Sequence, residues 1–220
     1  MTNTEVTDKG WAEQTRKAYD QVADDYAQLL RTELAQKPLD RSLLSAFIEL
    51  AGPSPEHPIA DLGCGPGRVA GYLNSLGAEV FGIDLSPGMI AAATRDHPGL
   101  RFEVGTMTAL DIADSSVSGI VAWYSIIHLP PDELPGVFAE FARILVPGGP
   151  IILAFQVGNE VVHLEQGYGH PLSLDAYRLS PERISDLLSE AGFKTASATE
   201  REPIAPEKNR QAYLIANLER

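Results

Sequence analysis

Several things are scarce in this chain. It has one cysteine, Cys64, in 220 residues. That excludes an internal disulfide and a cluster of thiolate metal ligands, and makes a cytoplasmic setting the default expectation. No apolar run approaches the roughly 20 residues that span a bilayer, so no membrane partner is expected. The opening MTNTEVTDKGWAEQTRKAYD has neither an apolar core nor a small-residue cleavage pattern, so no secretion signal is expected. Basic residues are few: 17 Lys and Arg stand against 30 Asp and Glu, for a formal charge of −13. A phosphate backbone is held by clustered cations that release its counterions, and an acidic surface repels it. Nucleic acid is therefore an unfavourable partner.

What is present is ordinary globular composition, 44% hydrophobic and 21% charged, in a chain long enough to bury a substantial core as one domain, 1–220. Residues 10–33 carry Ala18, Val22, Tyr26, Leu29 and Leu30 at helical spacing. A second helix is expected from Leu39 to Leu50, ended by Ala51-Gly52-Pro53. Together, residues 10–50 read as an N-terminal helical lid.

The pattern then alternates. Strands are expected at 59–62, 79–83, 101–104, 119–123 and 151–155, with helices at 68–76, 87–95 and 132–145. Such alternation implies βαβ units and a parallel sheet covered on both faces. Residues 156–178, rich in Gly, His and Tyr, read as an irregular, substrate-side insertion. Ser180-Pro181 then starts a helix as N-cap and first-turn residue. Two last strands, 193–199 and 211–218, read as a hairpin closing the sheet.

The sharpest signal is Ile59-Ala60-Asp61-Leu62-Gly63-Cys64-Gly65-Pro66-Gly67-Arg68, a strand that enters a glycine turn and then a helix. Glycines there permit a tight turn and close approach of a ligand. The dinucleotide fingerprint wants a third glycine where Arg68 stands, and Asp61 would repel a pyrophosphate. A carboxylate at that strand tip suits an ammonium and a sulfonium instead. The next strand, Val80-Phe81-Gly82-Ile83-Asp84, ends in a second acid able to accept both hydroxyls of a ribose. These two halves describe S-adenosylmethionine.

DLGCGPGR followed by VFGIDLSPGMI resembles the class I S-adenosylmethionine-dependent methyltransferase family. The likeness continues through FEVGTMTALDIADSSVSGIVAWYSIIHL, FAEFARILVPGGPIILAF and LSPERISDLLSEAGF, covering roughly residues 15–220. The resemblance implies an α/β, Rossmann-like seven-stranded sheet of order 3-2-1-4-5-7-6, its last strand antiparallel, with helices on both faces. It implies S-adenosylmethionine as cofactor: Asp61, Gly63, Cys64 and Gly65 at the methionine part, Asp84 at the ribose, Leu85, Met89, Thr106 and Met107 around the adenine. Tyr19 and Trp123 join this set, Tyr19 because a tyrosine there often reaches the cofactor carboxylate in related methyltransferases. Two departures stand out. An acid is common where Thr106 stands, so the adenine amino group falls to a hydroxyl, a backbone carbonyl or Asp111. The fourth strand opens Ser118-Gly119 rather than Phe-Asp.

On the acceptor side, Ala122-Trp123-Tyr124-Ser125-Ile126-Ile127-His128-Leu129 ends the fourth strand. His128 is the candidate base, by its ordinary pKa near neutrality, or else caps the following helix or packs as a core imidazole. Tyr124 is the second catalytic candidate. Ser125 is not an esterase nucleophile, since the G-x-S-x-G elbow is missing and no strained turn is implied. Cys64 reads as a packing residue, with no activating base. Arg68 meets a carboxylate or lies on a helix surface. Asn-Pro-Pro-Tyr, usual where exocyclic base or glutamine amines are methylated, is absent.

Tyr26, His163, Tyr168 and His170 are candidate substrate contacts. No metal is expected, because hard cations prefer oxygen ligands and the two histidines do not fall on one helix face. The expected activity is methyl transfer to an O, N or C acceptor on a small molecule. Arg outnumbers Lys twelve to five, a hint of a GC-rich bacterial genome and of natural-product tailoring. A repurposed cofactor-binding fold such as a cyclase, or an NAD-dependent oxidoreductase, are the alternatives. The oligomeric state, monomer or homodimer, is not legible.

Overall fold

A computed structural model describes residues 10–219; residues 1–9 of the N-terminal stretch read above for a leader lie outside them. The elements are α1 (Gly10–Leu30), α2 (Pro38–Ala51), β1 (Ile59–Leu62), α3 (Arg68–Ser75), β2 (Val80–Asp84), α4 (Pro87–Asp96), β3 (Arg101–Val104), β4 (Gly119–Trp123), α5 (Leu134–Ile144), β5 (Pro150–Gln156), β6 (Val161–Gly167), β7 (His170–Tyr177), α6 (Pro181–Glu190), β8 (Phe193–Arg201) and β9 (Gln211–Leu218).

Seven strands form one sheet in the order β3-β2-β1-β4-β5-β9-β8. Setting β6 and β7 aside, this is the expected 3-2-1-4-5-7-6. The first five pair in parallel, and β9 runs antiparallel to both β5 and β8. Strands buried on both faces read as nearly continuous apolar runs, and β1, β4 and most of β5 are buried throughout. Alternate residues serve opposite faces. Ile120 and Ala122 join the core under α5 and α6, while Val121 and Trp123 join the one under α2 and α3. The expected cap is in place, Ser180 accepting the Arg183 N–H at 3.2 Å, and Ser86 caps α4 in the same way by accepting the Met89 N–H at 3.0 Å.

Residues 156–178 are not irregular. β6 and β7 form a separate antiparallel hairpin. Its inward stripe is Leu172, Leu174 and Ala176, a period of two that the interspersed His, Ser and Asp residues hide. Tyr168 and Gly169 make the turn, at φ 55° and 84°. Two consecutive left-handed residues are what a two-residue hairpin loop needs, and tyrosine is an uncommon choice for one. The hairpin lies against α1, where Gln14 donates to Ser173 Oγ and Gln21 to the Pro171 carbonyl.

The tip of β4 also departs from expectation. Tyr124 sits at φ 56°, so the turn into Ser125 is strained after all; a non-glycine residue there costs on the order of 1 kcal/mol. The elbow motif is still missing, and Ser125 Oγ is spent on the Leu62 carbonyl at 2.7 Å. No described helix is long and apolar enough to cross a membrane.

Candidate active site at the strand tips

The C-terminal ends of β1, β2 and β4 open into a cleft with about 910 Å³ of atom-free space, counted out to its mouth. Such a crevice beyond the strand ends is where parallel α/β sheets bind ligands. The glycine loop forms its floor. Gly63 and Cys64 both donate to the Ile83 carbonyl, at 2.7 and 3.0 Å, tying the loop to β2. Gly63, at φ 73°, lies so close to the β4 tip that a Cβ would sit 2.3 Å from Ser125 Cβ. Gly65, at φ 53°, has open space above it, roofed only by Tyr26 at 4.0 Å.

Two carboxylates flank this loop. Asp84 accepts from Gly65 N–H at 2.8 Å through one oxygen and from Ser86 N–H at 2.9 Å through the other. Burial nonetheless pushes its carboxyl up to about 6. Asp61 is 1% exposed and accepts from Ala70 N–H at 3.1 Å. Burial again dominates and raises it to about 7, against the lowering pull of that N–H and of Arg68. A desolvated acid is raised when its charge is under-compensated. The pair is thus suited to a ligand that brings positive charge to Asp61 and hydroxyls to Asp84.

Over the cleft lies α1, whose Trp11, Thr15 and Tyr19 recur every four residues on one face. Tyr19 joins α1 to the β4 tip: its hydroxyl is 2.6 Å from His128 Nε2. The other ring nitrogen, Nδ1, is 3.0 Å from the Asp175 carbonyl on β7. A carbonyl only accepts, so Nδ1 carries the proton and Nε2 accepts from Tyr19. Burial pushes His128 down to about 4, partly opposed by the Asp175 carbonyl. Burial likewise holds the Tyr19 phenol well above its ordinary value. Both groups are neutral near pH 7.

Of the residues singled out from sequence, Tyr19, Tyr26, Asp61, Gly63, Cys64, Gly65, Asp84, Leu85, Met89, Thr106, Met107, Trp123, Tyr124 and His128 all line this cleft. Cys64 is buried, its thiol pushed up by burial and donating to the Gly65 carbonyl at 3.5 Å. The Tyr124 hydroxyl reaches Tyr213, at 3.5 Å, and burial raises it strongly. Arg68 does meet a carboxylate: Glu33, at 2.6 Å.

His163, Tyr168 and His170 are not in the cleft wall. His163 pairs with Asp175 and His170 with Asp25, each at 2.6 Å. Tyr168 packs edge-on against Tyr26, centroids 4.8 Å apart, and so stands behind the wall. Asp111 is exposed and outside the cleft. Among the described residues no three His, Cys, Asp or Glu side chains converge as a metal site would require.

Trp11, Thr15, Arg16, Ser86 and Leu129 line the cleft without having been singled out. The four-residue spacing of Trp11, Thr15 and Tyr19 was the available signal. Trp11 Nε1 and Trp123 Nε1 are buried N–H groups without a hydrogen-bond partner, an arrangement native proteins mostly avoid outside functional sites.

Residues 59–149 match a family model described as a methyltransferase domain. A malonyl-[acyl-carrier protein] O-methyltransferase of Pectobacterium atrosepticum is 32% identical over 110 residues, which is 50% of this chain and 43% of the relative. The match thus spans less than half the length of that relative. An O-methyltransferase of Pyrenophora dematioidea is 26% identical over 191 residues, 80% of this chain and 68% of the relative. Among solved structures, the 1,6-didemethyltoxoflavin-N1-methyltransferase of Burkholderia thailandensis superposes with a TM-score of 0.72. That likeness covers 95% of this chain and 89% of the other at 19% identity, and its crystals hold 1,6-didemethyltoxoflavin and S-adenosylhomocysteine.

Proposed function

We infer the activity from one premise: the chain belongs to the class I S-adenosylmethionine-dependent methyltransferase family. The reading is methyl transfer to a small molecule. What carries it is the pair of under-compensated buried carboxylates, Asp61 and Asp84, on either side of the open glycine loop. When bound, S-adenosylmethionine supplies a methyl group on a positively charged sulfur, already activated for displacement.

The chain's own residues bind, align and exclude water. Asp61, Gly63, Cys64, Gly65 and Trp123 are assigned to the amino-acid end, with Asp61 meeting its positive charge. Asp84 takes the ribose hydroxyls, and Leu85, Met89, Thr106 and Met107 enclose the adenine. Residues 10–50 serve as the lid. The hairpin within 156–178 backs it on the substrate side, with His163, Tyr168 and His170 supporting the wall and Tyr26 facing the acceptor. Tyr124 sets the shape of the β4 tip, and His128 is the base. A single domain over 1–220 with a small-molecule acceptor fits a roofed cleft of this size. The acceptor atom is an oxygen, nitrogen or carbon of that small molecule. Tailoring of a natural product is the context we favour, from the arginine-rich composition and the likeness to the 1,6-didemethyltoxoflavin enzyme.

Isothermal calorimetry tests the premise of cofactor use. S-adenosylhomocysteine binds the wild type, and Asp84→Ala weakens that binding by about 2 kcal/mol, roughly 30-fold, from lost charge-assisted hydrogen bonds. Absence of binding to the wild type overturns the reading. A labelled-methyl screen of metabolites then finds the acceptor, and His128→Ala lowers turnover of that acceptor about a hundredfold; wild-type turnover would return His128 to packing.

A further inference from the structure

We propose that a second groove, which shares Arg68 with the cleft, binds a small carboxylate carried on an apolar body. The proposal does not depend on the methyl-transfer reading and concerns a separate site.

The groove lies where the end of α1, the single 3-10 turn Leu34–Gln36, α2 and α3 meet. It holds about 770 Å³ of atom-free space, counted out to its mouth. Acids outnumber bases 30 to 17 in this chain. The charged side chains that line the groove are nonetheless three arginines, Arg31, Arg41 and Arg68. Leu30, Leu34 and the Tyr72 ring supply apolar wall. Apolar walls with a few placed charges are the usual make-up of a small-ligand site.

The protein answers these arginines incompletely. Arg41 has no carboxylate partner among the described residues; its Nη1 donates to the Leu34 and Ala35 carbonyls at 2.7 and 2.6 Å. Those two bonds cap the turn and leave the Nε–Nη2 edge unspent. Arg31 meets Asp96 at 3.5 Å, while Arg95 holds the same carboxylate at 3.0 Å. Arg68 meets Glu33 at 2.6 Å, but Glu33 also serves Lys37, at 2.7 Å. The Glu33 oxygen beside Arg68 is buried and makes no aligned hydrogen bond among the described residues. That pair is close, yet it lacks the parallel geometry that makes arginine–carboxylate pairs strong. The charge left over at the groove is Arg41's.

A carboxylate suits what remains. The Nε–Nη2 edge of a guanidinium presents two parallel N–H groups at the spacing of two carboxylate oxygens. A monoanion is favoured over a dianion, because the chain's charge of −13 repels the second about twice as strongly at long range. The apolar wall selects a body of several carbons over a bare anion, since each buried methylene adds to the affinity.

The test is NMR titration of the full chain labelled with 15N-arginine. Hexanoate is the probe, and hexanol and inorganic phosphate are the controls. The expected result is a saturable shift of the Arg41 Nε–H with hexanoate, and binding of either control at least about tenfold weaker. Ala35→Glu, at an exposed position of the turn, puts a tethered carboxylate at the groove and weakens hexanoate binding about tenfold. Arg41→Gln has a similar effect, and Ala35→Glu carries the test by itself if loss of the cap unfolds that variant. Four results overturn the proposal: no saturation below about 50 mM; hexanol or phosphate binding as tightly as hexanoate; hexanoate binding that leaves the Arg41 Nε–H unmoved; or wild-type affinity in Ala35→Glu.

Discussion

Asp61 shows how a buried, under-compensated carboxylate strains the folded chain. Its carboxyl is raised by burial from 3.8 to about 7, so the folded chain holds a proton there that the unfolded chain has released. For an acid raised on folding, full stability is present below the unfolded pKa and is lost as pH climbs through the folded one. The penalty accumulates between about pH 4 and 7 and, by pH 8, is on the order of 4 kcal/mol. Asp61→Asn therefore stabilises the ligand-free chain by about 2–4 kcal/mol at pH 8 and leaves it little changed at pH 4, as thermal melts at the two pH values would show. The same variant loses the melting shift that S-adenosylhomocysteine gives the wild type. His128 has the opposite sign: held down at about 4, it contributes stability above pH 6.5 that is lost as pH falls toward 4. Asp61 and Asp84 were legible because a strand tip and a glycine turn fix where a local carboxylate points. His163 and His170 were not, because their partners, Asp175 and Asp25, are set by the hairpin and its docking.

The N-terminal helix α1 is held to α4 mainly by polar contacts. Asp20 of α1 accepts from Ser86 Oγ at 2.6 Å and from Gly88 N–H at 2.9 Å, placing a carboxylate at the positive end of α4. Among the described residues a small apolar cluster, Val22, Ala23 and Met89 with Tyr19, Tyr26, Tyr168 and Leu172 around it, supports that contact. A segment with few buried apolar contacts opens at lower free energy than the core. Asp20→Ala removes about 1–2 kcal/mol of docking energy, and hydrogen exchange in residues 10–30 rises roughly tenfold while α5 and β5 are unaffected. Equal exchange in variant and wild type would show that α1 is held by other contacts. The helix itself was legible from its 3.6-residue period. The hairpin behind it was not, because Tyr168-Gly169 lacks the usual turn signature and polar residues interrupt the stripe.

Across the molecule, a chain of buried and half-buried charges ties the cleft to the far strands. Asp40 of α2 accepts from Tyr213 of β9 at 2.9 Å, and Tyr213 accepts in turn from Arg201 Nε at 2.9 Å. Arg201 pairs with Glu207, Glu207 with Lys37, Lys37 with Glu33, and Glu33 with Arg68 in the cleft wall. Asp40 is 1% exposed, and one of its oxygens has no partner. Tyr213→Phe removes its remaining hydrogen bond and lowers stability by about 2–3 kcal/mol, a shift that urea titration would read. A change under 0.5 kcal/mol would mean that Asp40 is already protonated.

The strands and helices, and the glycine turn with acids at two strand tips, were determined by sequence alone, and the order of the seven-stranded sheet was legible through the family resemblance. The local features depend on contacts between neighbours in the chain: apolar runs of strand length, caps at helix starts, and glycines at a turn followed by acids. The Tyr19–His128 side of the cleft was decided by tertiary structure. Tyr19 and His128 lie 109 positions apart, and the carbonyl that selects the imidazole tautomer belongs to Asp175, 47 further on. No local preference couples such residues. Only the packing of α1 and the hairpin over the sheet brings them within hydrogen-bond reach.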